Sequence, residues 1–153
     1  MVIPRPVAIA LVLLLACPVA PPAVAGDLVP KGDVSAPLPT DTAVREGMVA
    51  IRNLVRTNHS LVTHRRMPPD HALRFAAQVK IEADRILASS RLQGETLEKL
   101  RVLLEEIVAG IGSVARPAGG ETAVDGLARA DAALERYGQT FDHSGWVPLQ
   151  AIE

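Results

Sequence analysis

The residues able to do chemistry in this chain are few and unevenly placed. Its only Trp, its only Tyr and one of its two Phe fall within Tyr137-Gly138-Gln139-Thr140-Phe141-Asp142-His143-Ser144-Gly145-Trp146. The other histidines are His59, His64 and His71. An imidazole and a thioether make an axial pair for haem iron, so Met48 and His143 are the candidate cofactor-binding residues, for haem or a transition metal, if the fold brings them together. Covalent c-type attachment is excluded, because the single cysteine, Cys17, leaves no Cys-x-x-Cys-His. His59 and His64 point to different faces of a helix at their spacing, whereas a metal pair on one helix needs a step of three or four. Solvated or capping roles suit these histidines better. No His-Glu-x-x-His, phosphate loop or nucleophile elbow occurs. Glu105 and Glu106 are adjacent and diverge around a helix, so no acid and base stand out, and the chain reads as a non-enzyme.

The elements that must position these residues are helices. Leu97, Leu100, Leu104, Ile107, Ile111 and Val114 recur at alternating steps of three and four over Glu95 to Ala115, one seam of an α-helix. A seam of Val44, Met48, Ile51, Val55 and Val62, widened by Leu54 and Leu61 and interrupted by Asn58, predicts a helix from Thr42 to Arg66, capped by Thr40 or Asp41. Met67-Pro68-Pro69-Asp70 breaks the chain and opens another to Ser89, with Ala72, Phe75, Ala76, Val79, Ala83 and Ile86 inward. After Pro117 and Gly119-Gly120, Ala123, Leu127, Ala130, Leu134, Tyr137 and Phe141 line a helix from Glu121 to Thr140, in which Asp125 stands four before Arg129. Gly110 and Gly112, inside an apolar helix, read as sites of close packing. Aromatic content is only 3%, so the core must be aliphatic, and no stretch alternates with period two. The expectation is an all-α, up-down-up-down four-helix bundle over residues 41–150.

That topology gathers Met48, Ser89, Ser90, Arg101, Tyr137 and His143 at one end, and His59, His64, His71 and Arg116 at the other. The tail then reads as a structural clasp of Tyr137, Phe141, Asp142, His143 and Trp146: the aromatic rings cover the open end, and Asp142 and His143 satisfy local backbone groups. Arg52, Arg56, His59 and Arg66 share an outer stripe with Thr63, which suits an acidic partner or anionic lipid, although carboxylates of neighbouring helices neutralise such a face more simply.

The same tail resembles the ending of small exported bacterial helical proteins labelled DnrO-like, whose chains close with Tyr-x-x-x-Phe-Asp-His-Pro-Gly-Trp. Asp142, His143, Gly145 and Trp146 match that pattern, and Ser144 stands at its proline. The resemblance extends more faintly over residues 42–149. It implies an Asn-Cys-Lys-Leu turn and a His early in the third helix; this chain has Ser89-Ser90-Arg91-Leu92 and Arg101 there. A metal or redox site made of that Cys and His is expected to be lost.

Residues 1–25 read as a secretory signal peptide: Arg5, the apolar run Val7 to Ala16, three prolines, then Ala23-Val24-Ala25 before the cut. The rival reading takes Leu14-Leu15-Ala16-Cys17 as a lipobox, with Cys17 lipidated and the protein anchored to a membrane. Either way the expected location is periplasmic or secreted, the lipoprotein reading adding the membrane. Residues 26–40, with three prolines from Pro30 to Pro39, read as a flexible linker. Losing Arg5 takes 16 basic side chains to 15 against 17 acidic, a net of −2, which argues against nucleic acid. The expected function is an envelope-accessory or protein-interaction role with an unknown protein partner and no cofactor; the alternative is a bundle that binds haem, a metal or a small ligand at the Met48 and His143 end.

Overall fold

The structure, a computed structural model, describes residues 36–149. The expected leader, its cleavage point and Cys17 lie outside the described residues. Four helices follow in order, α1 (Thr42–Thr63), α2 (Pro69–Ser89), α3 (Gly94–Ala115) and α4 (Ala123–Thr140), and form an up-down-up-down bundle. Each packs on its successor, and α4 returns to α1. None is long and apolar enough to cross a membrane among the described residues.

The seams read from the sequence are the core. Val44, Met48, Ile51 and Val55 of α1 are wholly buried, as are Leu100, Ile107 and Ile111 of α3, with Phe75, Val79 and Ile86 of α2 and Leu127, Leu134 and Tyr137 of α4 against them. Helices α3 and α4 cross most closely. A Cβ on Gly110 would stand 2.6 Å from the Gly126 carbonyl oxygen, and one on Gly126 2.5 Å from the Gly110 oxygen. Only hydrogen fits on either side of that crossing.

Two helix ends differ from the periodic reading. α1 stops at Thr63, short of Arg66, because Arg65 takes a left-handed conformation (φ 54°). The Arg66 N–H then reaches the Leu61 oxygen (2.8 Å) and the Arg65 N–H the Val62 oxygen (2.9 Å), the paired bonds of a Schellman ending. α4 starts at Ala123 because Thr122 and Asp125 form a capping box: Thr122 Oγ1 accepts from the Asp125 N–H, and Asp125 Oδ2 from the Thr122 N–H. Asp125 is thereby committed to the cap. Arg129 pairs instead with Glu121 (2.7 Å) and donates to Ser113 Oγ.

The end of the expected linker is held in place. The Leu38 N–H donates to the Thr140 oxygen and the Asp142 N–H to the Leu38 oxygen, each at 2.8 Å, a single parallel bridge rather than a strand.

Candidate functional site

The tail folds back over the end of the bundle where α1 begins and α4 finishes. Phe141 leaves the helix in extended backbone, so its ring stays inside while the chain turns out to meet Leu38. Gly145 (φ 82°) then permits a turn closed by the Trp146 N–H to the His143 oxygen at 3.0 Å. Trp146 comes to rest on Gly138, where any Cβ would collide with the indole. Tyr137 is the hub. Its ring stacks on Phe141 (centroids 5.2 Å apart), meets Trp146 edge-on (4.8 Å) and His143 edge-on (5.7 Å).

Polar contacts complete the closure. Tyr137 Oη lies 2.9 Å from His143 Nδ1. Arg52 sits over the Trp146 ring at 5.2 Å and donates to the Val147 oxygen at 3.0 Å. Thr40 Oγ1 donates to the Asp142 oxygen (2.6 Å), and Arg45 to the Thr40 oxygen (3.2 Å). Asp41 caps α1 through the Val44 N–H (2.8 Å) and also accepts from Ser90 Oγ (3.0 Å) and the Arg91 N–H (2.6 Å). The start of α1, the α2–α3 turn and the tail are thus tied together. Trp146 Nε1 is buried with no hydrogen-bond partner among the described residues.

The electrostatics follow from this packing. Burial pushes the Tyr137 phenol well above its usual pKa, with Arg45 opposing and Asp41 adding, so it stays protonated. Burial, then Arg45 and Arg52, holds His143 below its usual pKa. A protonated phenol beside a neutral imidazole makes O–H donation to Nδ1 the natural direction of the bond. Burial also works against charge on Asp41, but the hydrogen bonds from Val44, Arg91 and Ser90 outweigh it and hold the carboxyl below its ordinary value.

Of the expected clasp residues, Tyr137, Phe141, His143 and Trp146 meet. Two roles differ. Asp142 serves through its backbone and stands exposed, and His143 bonds the phenol rather than a backbone group. Ser90 joins this end through Asp41, whereas Ser89 and Arg101 are exposed, the latter 3.8 Å from Glu98. Met48 is wholly enclosed in the hydrophobic core.

The remaining histidines are engaged singly. His59 Nε2 is 3.4 Å from Asp131 Oδ2, His64 Nδ1 2.8 Å from the Ser60 oxygen, and His71 Nε2 2.7 Å from Asn58 Oδ1. Burial pushes the Asp131 carboxyl up and His59 opposes that rise. The expected cationic stripe is therefore split: Arg52 turns to the clasp and His59 to α4. No cluster of three metal-ligating His, Cys, Asp or Glu occurs among the described residues. The sequence reading missed Arg52 and the second role of Asp41. Asp41 showed only its cap signal, and nothing local marks a carboxylate that also binds a turn fifty residues away.

No family model matches the chain, and neither a curated protein nor a solved structure matches it.

Proposed function

We propose that this is an exported, non-catalytic helical bundle that works by binding a protein partner, with its tail as the clasp that closes the fold. The observation that carries this reading is the commitment of its reactive side chains. Each of the four histidines has a ring nitrogen occupied in a contact that joins or ends helices, and Tyr137 is sealed beneath the tail. Using Met48 and His143 as haem ligands would require the core and the Tyr137–His143 bond to open together. Of the tail residues shared with the DnrO-like ending, Gly145 makes the clasp's turn, Trp146 its cover and His143 its bond to Tyr137, which supports kinship through structure rather than through a reaction.

A partner needs a face, and α2 offers one. Leu73 and Ile81 are 40% and 62% exposed, and Ala77 between them continues the same stripe. Such a row on an outer helix suits a complementary helix or strand better than water. A photo-crosslinking residue in place of Ile81, in cells exporting the protein, is expected to trap one discrete partner that the same residue at exposed Glu105 does not. Absence of any adduct at 81, or identical adducts at both positions, would remove the proposed face.

A further inference from the structure

The end of the bundle opposite the clasp, where α1 and α3 finish and α2 and α4 begin, carries positive charge that its neighbours do not neutralise. Arg65 and Arg66 stand exposed on the α1–α2 connection, Arg74 on the second turn of α2, and Arg116 at the cap of α3. None of these four makes an ion pair among the described residues. The carboxylates at this end are otherwise engaged, Glu121 by Arg129 and Asp125 by its capping box, which leaves Asp70 alone against four guanidinium groups. At the clasp end, by contrast, Arg45 and Arg91 share the surface with Asp41, Glu46 and Asp142.

Arg65 adds a second observation. Its backbone is left-handed (φ 54°), a conformation that glycine takes freely and a residue with a side chain takes only at a cost. A guanidinium is thus held at this helix ending against the local preference. Around the cations the exposed residues of the two connections are short and uncharged, Pro68, Pro69, Pro117 and Ala118. Packed helix axes lie about 8 to 10 Å apart, so cations carried on separate elements are spread over the end instead of converging on one point. A single phosphate calls for convergent donors, whereas a layer of headgroups calls for charge spread over an area that can lie against it. We propose that this end of the bundle docks on an anionic lipid bilayer. Its arginines reach the headgroup phosphates, and the prolines of the two connections lie at the plane of contact.

The test places an environment-sensitive fluorophore on Ala118→Cys, or on Ser144→Cys at the clasp end, in the purified full-length protein with Cys17→Ser. Vesicles of phosphatidylcholine alone give the baseline for each label, so that any contribution of residues 1–35 cancels, and vesicles containing about one third phosphatidylglycerol are compared with them. A blue shift at position 118 with the anionic vesicles is expected, absent at 144 and abolished by high salt. Arg65→Gly and Arg116→Gln should each weaken the response about fivefold, the share of one arginine at an anionic surface. Arg91→Gln, with the same change in net charge, should leave it unchanged. Arg65→Gly should weaken binding while raising the urea midpoint, a combination that a damaged fold cannot give. Absence of a shift at 118 overturns the proposal. So does an equal shift at 144 or an equal loss with Arg91→Gln, either of which would mean that no one end is preferred. A shift with soluble poly-glutamate but not with vesicles also overturns it, and would make this end a site for an acidic protein.

Discussion

The two ends of the bundle are closed by different physics. At the end opposite the tail, closure is local: the α1–α2 connection uses a Schellman ending at Arg65 and prolines at 68 and 69, and the α3–α4 connection uses Gly119, Gly120 and a capping box. Those bonds join residues no more than five apart, and the side-chain links between helices there are single contacts, His71 to Asn58 and Arg129 to Ser113. At the tail end, closure is long-range. Leu38 pairs with Phe141, Asp41 with Ser90 and Arg91, and Arg52 with Trp146 and Val147. Local closure forms with its own helix, whereas long-range closure must offset a loop-ordering cost and so depends on buried area and satisfied polar groups. Substitutions at the tail end should therefore act on the whole fold, and those at the other end on one turn.

Trp146→Ala should have the largest effect. It removes a half-buried ring from Gly138, Tyr137 and Arg52, and a loss of about 2 to 3 kcal/mol is expected, below the full cost of a core aromatic. Urea unfolding followed by far-UV circular dichroism measures it. Asp41→Ala should follow, at about 1 to 2 kcal/mol, because one carboxylate caps α1 and also holds the α2–α3 turn. Asp41→Asn, which keeps an oxygen for the cap, should recover part of that loss.

Tyr137→Phe should cost about 1 kcal/mol by leaving His143 without its partner. The same bond sets a pH dependence. His143 is held below its usual value of 6.5 in the folded protein, so its neutral form is favoured by folding. Its contribution is complete above about that value and is lost as pH falls through it toward the folded-state pKa. The difference between the stability profiles of the parent and His143→Gln isolates this term. Asp131, whose carboxyl burial pushes up, contributes with the opposite slope in the carboxylate range and is common to both proteins. A flat difference across the histidine range would mean that His143 titrates freely. At the local end the expected change is small and of opposite sign: Arg65→Gly relieves a left-handed residue and should stabilise by about 0.5 to 1 kcal/mol, visible as a slight rise in urea midpoint.

The same contrast explains what was legible in the sequence. Steps of three and four located all four helices, because burial of an apolar stripe leaves a periodic mark. The clustering of Tyr137, Phe141 and Trp146 announced an aromatic clasp. Arg65 as the αL residue was not legible, since a non-glycine there carries no composition signal, and the run of period therefore seemed to continue to Arg66. Leu38 was hidden for another reason: one bridge between two segments a hundred residues apart leaves no alternation to read. Arg52 looked like an outer-stripe cation because its turn toward Trp146 and Val147 depends on where the tail lies.

Trp146 is the chain's only tryptophan, so its fluorescence reports the clasp in the unmodified protein. Emission from the folded protein should be blue-shifted and poorly quenched by iodide, and it should shift to the red in the same urea transition that abolishes helical circular dichroism. Red-shifted, freely quenched emission before unfolding, or a change in Trp146 well ahead of the helices, would contradict the central claim that the tail closes this end of the bundle.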